Sequence, residues 1–246
     1  SYNCALRTSF AIEVTERTPW GGSGTAEDPY RIGTAEELAA LGEKVAKGNP
    51  YTDVTFVLTA NIDLSDYPDW TPIGKDSAQF DGIFDGRGYA IDNLYSKKGG
   101  LFGTVCTNAV IRNVGVASGQ IGSENLSFMG AIAKWSNGAD FINCWNGADI
   151  LCSGWSGGIV GTVRDGGESV IKGCYNIGSV TARDGAVGGI VGHLVAGNNG
   201  TAVAVTVSDC YNAGTVTAGD NAGGIVGSTF GTGSSSGTDG GAYILR

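Results

Sequence analysis

The sequence is poor in the residue types that nucleic-acid, metal and membrane-spanning sites need. It has one histidine, one methionine and 15 lysine or arginine residues against 24 acidic residues, which gives a formal net charge of −9. The basic residues form no run or stripe, although nucleic-acid binding requires such a positive surface. No segment approaches the roughly 20 consecutive apolar residues of a membrane-spanning helix. We therefore expect no nucleic-acid partner and no membrane insertion.

Cysteine is present, but without the spacing of a metal site. No two cysteines form a C-x-x-C pair and the sole histidine is His193, so a structural zinc site has little support. We expect no cofactor, with calcium as a weak alternative. A chain of 246 residues can fold without a disulfide framework, so the cysteine count leaves the compartment open. The six cysteines are Cys4, Cys106, Cys144, Cys152, Cys174 and Cys210.

Glycine is abundant, with 43 residues among 246, against an average usage of about 7%. Many of these glycines belong to a G-G-[LI]-[FV]-G block that recurs every 27 to 35 residues. A fixed spacing of this size is the signature of a repeat architecture. Intact copies begin at Gly99, Gly157, Gly188 and Gly223, and a degenerate copy runs from Gly130 to Lys134, where glycine is expected.

A second block follows each of the first four copies. It begins at Ile111, Phe141, Ile171 and Val207. Its third position is Asn113, Asn143, Gly173 and Asp209, and these residue types enter the left-handed backbone region at least cost. A further turn begins at Asn176 and again at Asn212. Each repeat is therefore predicted to contain three short strands separated by turns.

The repeats predict an all-β fold, a right-handed parallel β-helix. A unit of about 30 residues with short strands cannot bury its own apolar face, so neighbouring units must stack. Helical repeats are excluded because no 3.6-residue apolar period follows Gly99, and because glycine costs about 1 kcal/mol per helical position. Propeller blades need about 40 to 45 residues each, more than these units contain.

The N-terminal part is predicted to supply a cap. Thr34 to Glu37 form a capping box, and Leu38, Leu41 and Val45 lie on one face of the helix that follows. We divide the chain into an N-terminal tail or strand (1–18, with Phe10, Ile12 and Val14 alternating), the cap helix with the first coils (19–98), and the repeat coils of the same β-helix (99–246).

Several of these segments resemble the GLUG-repeat proteins. The resemblance rests on G-T-A-E-D-P-Y-R-I from Gly24, W-T-P-I-G from Trp70, and the repeated G-G-I-V-G with N-C-W-N or C-Y-N, and covers residues 19–230. These are bacterial surface and secreted proteins, including adhesin-like chains and regions that accompany immunoglobulin-A peptidases. The resemblance implies an extracellular β-helical body. It implies no catalytic residue and names no ligand.

Three sets of polar residues are candidates for a catalytic or metal-binding site. Asp81, Asp85 and Asp92 share one segment and could act as paired carboxylates in glycoside hydrolysis, but Asp85-Gly86 is typical turn chemistry. Asp63, Asp66 and Asp69 could offer oxygen ligands to calcium, without the spacing of a known calcium loop. His193 replaces the threonine or serine of other repeats and is interpreted as a bystander. We predict no catalytic residue and no metal ligand.

The best candidate binding site is aromatic. Trp145, Tyr175 and Tyr211 follow Cys144, Cys174 and Cys210 in one register, so both sets should stack at about 4.8 Å per coil. Aligned parallel cysteines rarely have the torsion of a disulfide, which favours buried thiols. The rings should form a row about 10 Å long. If the row of rings is exposed, we expect it to bind a sugar or a partner protein. If the row is buried, it is part of the core packing.

These observations lead to two functional hypotheses. The first is a secreted or cell-surface module with a structural or adhesive role, which presents a surface to a host or matrix protein or a glycan and belongs to a larger multidomain surface protein. The second is a polysaccharide-active lyase or glycosidase, which rests on fold analogy alone.

Overall fold

The computed structural model describes residues 18–164, 167–196, 204–231 and 242–245. Cys4 and the predicted alternation of Phe10, Ile12 and Val14 lie outside the described residues. Within the described part there are one helix and 28 strands, and no helix is long and apolar enough to cross a membrane.

Most strands are two to four residues long. In chain order the elements are β1 Tyr30–Ile32, α1 Ala35–Ala46, β2 Thr55–Leu58, β3 Ile62–Asp63, β4 Ile83–Asp85, β5 Ala90–Asp92, β6 Leu94–Ser96, β7 Phe102–Val105, β8 Val110–Arg112, β9 Gly115–Val116, β10 Gly119–Gly122, β11 Met129–Gly130, β12 Ala133–Ser136, β13 Asp140–Ile142 and β14 Trp145–Asn146. They continue as β15 Asp149–Cys152, β16 Ser156–Gly157, β17 Val160–Val163, β18 Ser169–Lys172, β19 Tyr175–Asn176, β20 Val180–Ala182, β21 Ala186–Gly188, β22 Val191–Ala196, β23 Ala204–Ser208, β24 Tyr211–Asn212, β25 Val216–Ala218, β26 Asn221–Gly223, β27 Val226–Gly231 and β28 Ala242–Leu245.

The strands form five sheets in which every strand pair is parallel, so the chain is a parallel β-helix. We number them sheet 1 (β1-β2-β4-β8-β13-β18-β23-β28), sheet 2 (β3-β5-β9-β14-β19-β24), sheet 3 (β6-β10-β15-β20-β25), sheet 4 (β11-β16-β21-β26) and sheet 5 (β7-β12-β17-β22-β27). The predicted fold is confirmed. The predicted number of strands is wrong, because a complete coil contains five strands and not three.

One of the extra strands arises because the glycine block is a corner. In the third repeat, Gly157 ends β16 in sheet 4, the chain bends at Gly158, and Val160 begins β17 in sheet 5. The block therefore contributes to two sheets. Lys134, in the degenerate copy, does not disturb its coil, since β12 keeps its register with both neighbours.

The predicted left-handed turns between sheets 1 and 2 are present. Asn113, Asn143, Gly173 and Asp209 all have φ between 52° and 65°. At Asn113 and Asn143 the side chains also pair across coils, with Asn143 Nδ2 donating to Asn113 Oδ1 at 3.2 Å. The choice of residue at this position therefore follows from backbone conformation, as expected.

The cap helix begins at the predicted N-cap. The Thr34 hydroxyl accepts from the Glu37 N–H at 3.2 Å, while the Glu37 carboxylate accepts from the Gly33 N–H at 2.7 Å. Leu38, Leu41 and Val45 are fully buried and join one apolar core that continues through all the coils. The helix directly follows β1, the terminal strand of sheet 1, which is consistent with a cap at that end.

Consecutive coils approach one another closely at the second glycine of the block. A Cβ on Gly158 would lie 2.2 Å from the Gly189 carbonyl oxygen, and one on Gly189 would lie 2.2 Å from the Gly224 carbonyl oxygen. Neither glycine has the positive φ that would require glycine for conformational reasons, so lack of space is the cause. The equivalent Gly224 lies at the last described corner between sheets 4 and 5. A Cβ on it would have no described atom within 4 Å.

We expect Gly158→Val and Gly189→Val each to lower the free energy of unfolding by about 3 kcal/mol or more, because a branched side chain would push two coils apart. Ala131 occupies this position in the second repeat, so the test needs a side chain larger than alanine. Gly224→Val is the matched control and should change stability little. Urea unfolding followed by circular dichroism measures all three, and losses below about 1 kcal/mol at both inner positions would contradict this packing.

Candidate functional site

The predicted aromatic ladder is formed by Trp145, Tyr175 and Tyr211 on the strands of sheet 2. The Trp145 and Tyr175 ring centroids are 5.8 Å apart with an interplanar angle of 4°, and those of Tyr175 and Tyr211 are 5.0 Å apart at 2°. Register pairing of β14, β19 and β24 brings the rings together. The structure therefore confirms the row and its spacing. Whether it binds a partner stays a prediction.

The rings point outward because the next residue on each strand points inward. Asn146, Asn176 and Asn212 follow the three aromatics, and successive side chains on a strand face opposite sides of the sheet. The Asn146 Nδ2 donates to Asn176 Oδ1 and the Asn176 Nδ2 to Asn212 Oδ1, both at 2.7 Å. This inner row, the asparagine ladder, fixes the register at which the outer rings stack.

Each ladder asparagine also holds its own turn. The Asn146 Nδ2 donates to the Ala148 carbonyl at 2.9 Å, and the Asn176 Nδ2 donates to the Gly178 carbonyl at 2.9 Å. Asn146 and Asn176 are fully buried, and a buried amide is stable only when its donors and acceptors are satisfied. Our sequence reasoning recognised the turns at Asn176 and Asn212 but missed Asn146, where alanine replaces the turn glycine.

The ladder ends against Gly115, which pairs with Trp145. A Cβ on Gly115 would lie 1.9 Å from the Trp145 ring, so the indole occupies the space of the missing side chain. The rings of Trp145 and Tyr175 are half-buried, whereas Tyr211 is 54% exposed. Because Tyr175 has a ring on each face and Trp145 lies between Tyr175 and Gly115, these two rings present mainly their edges, and Tyr175 its hydroxyl group, to solvent. At Trp145 and Tyr175 the ladder suits hydrogen bonding and edge contacts better than stacking of a sugar face.

The cysteines of the same register are thiols. Cys144 and Cys174 are fully buried and Cys210 is partly buried, and all five described cysteines are free. Contact with the Cys144 thiol, together with burial, raises the pKa of Cys174 well above its ordinary value. The cysteines therefore act as small apolar side chains, as predicted.

The candidate carboxylates of residues 81–92 are occupied by structural contacts. Asp81 accepts from the Thr52 hydroxyl at 2.7 Å and from the backbone and side-chain amides of Asn108, each at 3.0 Å. Asp85 accepts from Asn113 Nδ2 at 3.0 Å and pairs with Arg112 at 2.9 Å. Both carboxylates fasten neighbouring coils. Asp92 has no comparable role among the contacts described.

The three aspartates considered for calcium do not gather into one site. Asp63 accepts from Asn93 Nδ2 and from the Ser65 N–H, both at 2.9 Å. Asp69 accepts from the Lys97 N–H at 3.0 Å and pairs with Lys98. Within the described ranges, no three histidine, cysteine, aspartate or glutamate side chains, Asp66 included, are grouped as metal ligands would be.

His193 lies in an aromatic cleft that our sequence reasoning missed. Its ring is 5.6 Å from that of Trp155, its Nδ1 is 2.6 Å from the Ser228 hydroxyl, and burial lowers its pKa. Trp135 and Thr162 precede it in the same row of sheet 5. The signal was present in the sequence: Trp135 stands in the degenerate repeat at the position that holds Thr162 and His193 in the next two.

Comparison with known proteins gives relatives of two kinds. The chain is 33% identical over 114 residues to a proposed Gly-rich membrane protein of Evansella cellulosilytica, a match that covers 42% of this chain and 13% of that protein. It is 30% identical over 181 residues to halomucin of Haloquadratum walsbyi, which covers 66% of this chain and 2% of halomucin. The chain thus spans only a small part of the length of either relative.

A solved structure shares the fold. It is a proposed immunoglobulin A1 protease from Bacteroides ovatus, with a TM-score of 0.58 and 23% identity over 92% of this chain and 79% of that one. At this identity the likeness concerns the fold alone. No family model matches the chain, so the resemblance to GLUG-repeat proteins stays a prediction.

The contacts of Asp81 predict how stability depends on pH. Burial alone would raise the pKa of this carboxyl, but hydrogen bonds from Asn108 and Thr52 hold it below its ordinary value. A depressed pKa in the folded state stabilises the fold above the unfolded value of about 3.9, and this contribution is lost as the pH falls further. We expect the urea midpoint to drop between about pH 5 and pH 2.

Asp81→Asn should lower stability at neutral pH and flatten this acid dependence. Asp66→Asn removes the same charge from an exposed position and serves as the control for net charge. Parallel urea titrations of the three proteins provide the measurement. An acid dependence that is as steep in Asp81→Asn as in the parent would show that this carboxylate does not fasten the coils.

Proposed function

We propose that the chain is an extracellular β-helix module with a structural and adhesive role, at a cell surface or secreted, whose aromatic ladder contacts a partner protein or glycan. The observation that carries the proposal is the ladder itself, in which Trp145, Tyr175 and Tyr211 lie with nearly parallel rings on an outer face and Tyr211 is 54% exposed. Partly exposed aromatic rings held rigidly are typical anchors of binding surfaces.

The relatives support the extracellular part of this proposal. One of them is described as a Gly-rich membrane protein and the other is a halomucin. In both, the matched region is a small part of a much longer chain. This supports the expectation that the β-helix is one module of a larger multidomain surface protein.

The ladder chemistry favours contact through edges and hydroxyl groups. Burial and the neighbouring Tyr211 raise the pKa of Tyr175, which therefore keeps its phenolic proton at neutral pH and can donate a hydrogen bond. The alternative is a polysaccharide-active lyase or glycosidase, and a glycosidase needs two converging acidic groups. Asp81 and Asp85 are each engaged by neighbouring coils instead, so the module is better supported than a glycosidase that uses these carboxylates.

Screening the purified chain on an array of glycans and extracellular matrix proteins tests the proposal. Tyr211→Ala should weaken capture at least about tenfold while leaving the melting temperature nearly unchanged, because exposed side chains contribute little to folding. Tyr175→Ala should weaken capture too and cost about 1 to 3 kcal/mol, because its ring contacts two others. Tyr95→Ala, 46% exposed on sheet 3, is the matched control.

Two results would overturn the proposed role. Capture of nothing on the array would remove the adhesive function. Capture that Tyr211→Ala and Tyr175→Ala leave at the level of Tyr95→Ala would show that the ladder is only part of the architecture.

A further inference from the structure

The outer face of sheet 5 carries a second row of side chains, separate from the aromatic ladder on sheet 2. In register along this face lie Thr104, Trp135, Thr162, His193 and Ser228. A small residue stands on each side of both Trp135 and His193. Alternation of large and small side chains at one register produces recesses between the large ones.

Two such recesses meet at Trp135, which lines both. The first has a volume of about 360 Å³ and is bordered by Thr71, Pro72, Lys75, Lys98 and Lys134. The second has a volume of about 300 Å³ and is bordered by Phe128, Trp155, Thr162, Arg164 and His193. The two recesses extend from the β-bridge at Ile73 across β7, β12 and β17 to β22. These are four steps between neighbouring strands, about 19 Å at 4.8 Å per step. We call the two together the sheet 5 groove.

The groove is basic although the chain is acidic. Lys75, Lys98, Lys134 and Arg164 line it, while Asp76 is the one carboxylate among its described lining residues. Counting Asp69, which pairs with Lys98 from nearby, still leaves an excess of positive charge. The whole chain has a formal net charge of −9. A local reversal of sign in a cleft with low-dielectric walls attracts anions.

Trp135 and Arg164 are held in place before any ligand arrives. The Arg164 guanidinium lies 4.1 Å from the centre of the Trp135 ring, and the Lys134 ammonium lies 4.7 Å from it. Arg164 is further fixed by Asn137 Oδ1 at 3.0 Å and by Asp76 at 2.5 Å. A guanidinium has five N–H donors, so these two contacts leave others for a ligand. The charge is thus positioned without loss of further side-chain freedom.

The second recess also offers an aromatic surface. Trp155 is 37% exposed and stacks on Phe128 with ring centroids 5.2 Å apart. Phe128 adopts φ of 66°, a left-handed conformation that is costly for a bulky residue. Strain of this kind persists at functional sites, where the surrounding structure compensates for it.

Thr162, which lines the same recess, has a buried hydroxyl. Thr162 is 4% exposed, and its hydroxyl oxygen has no hydrogen-bond partner within the described part of the chain. An unsatisfied buried polar group costs free energy, which a ligand oxygen at this point would recover. This observation is independent of the charge and of the aromatic rings.

From these features we propose that the sheet 5 groove binds an anionic oligosaccharide, whose carboxylate or sulfate groups meet the cations while one sugar ring packs on Trp155. A pyranose ring combines an apolar C–H face, which suits an indole, with hydroxyl groups that can satisfy Thr162. A linear nucleic acid would need a longer cationic track. An acidic peptide offers charge without a rigid apolar face. The proposal assigns a site apart from the ladder and does not depend on it.

Isothermal titration calorimetry of the full chain tests the binding. The probes are short oligogalacturonates, which carry carboxylates, and heparin-derived oligosaccharides, which carry sulfates, with cello-oligosaccharides as the neutral control. At least one anionic probe should bind about tenfold or more tightly than the neutral one, and binding should weaken as salt rises from about 50 mM to about 300 mM, because screening shortens the range of charge interactions. Comparison of the two anionic probes identifies which charged group is preferred.

Variants locate the site. Arg164→Gln and Trp155→Ala should each weaken binding about tenfold. Arg183→Gln is the matched charge control, because Arg183 is also ion-paired, to Asp184, but directly follows β20 of sheet 3. Lys75→Gln changes a groove residue without touching the rings, so it reports on binding even where Trp155→Ala destabilises the fold. Tyr211→Ala, in the ladder, should leave this binding unchanged.

Three outcomes would overturn the inference. Binding of neither anionic probe would remove the site. Equal binding of poly-L-glutamate or an oligothymidylate would show simple attraction of polyanions and not recognition of a sugar. Equal loss in Arg183→Gln and Arg164→Gln would place the binding outside the groove. If the ladder variants capture array ligands as well as the parent does, the calorimetric test of the groove is unaffected. If the groove variants bind as the parent does, the array test of the ladder is unaffected.

Discussion

The closeness of consecutive coils at the glycine corners is the constraint on which the rest of the structure depends. At Gly100, Gly158 and Gly189 the carbonyl oxygens of the next coil lie where a side chain would begin. Because the backbones nearly touch there, each coil lies directly over its neighbour, and the strands of all five sheets pair in register. A wider spacing at the corners would break the hydrogen bonding of sheets 4 and 5 at once.

Because the coils stack in register, equivalent residues of successive repeats form rows along the β-helix. Inside the helix this stacking aligns Asn146, Asn176 and Asn212 into a chain of amide hydrogen bonds, so that burial of these polar groups is compensated. Outside, it aligns three aromatic rings on sheet 2 and alternates large and small side chains on sheet 5. The ladder and the sheet 5 groove are thus two products of one rule on two faces.

The sequence predicts those features that repeat and that depend on backbone conformation. The parallel β-helix, the N-cap at Thr34, the left-handed turns at Asn113, Asn143 and Asp209, and the alignment of Trp145 with Tyr175 and Tyr211 all follow from residue types at fixed spacing. Each is a local property or the direct result of the period.

Features that depend on packing between different parts of a coil escape this reasoning. Three strands per repeat were predicted and five are present. One of the two missed strands follows from the bend inside the glycine block, which becomes visible only when two sheets meet there. The sheet 5 groove was missed because it joins Phe128, from the segment before β11, to Trp155 of the next coil and His193 of the one after. The contacts of Trp155 with Phe128 and His193 cannot be predicted from their separation in the sequence. The row of Trp135, Thr162 and His193, in contrast, follows from the repeat period.

The central claim is the in-register parallel stacking of coils, and proton nuclear magnetic resonance of the isotope-labelled chain tests it most directly. The account predicts nuclear Overhauser contacts between the side-chain amides of Asn146 and Asn176 and of Asn176 and Asn212, and between the rings of Tyr175 and both Trp145 and Tyr211. Contacts of these residues with partners in an antiparallel hairpin, or with residues shifted along the strand, would contradict the account.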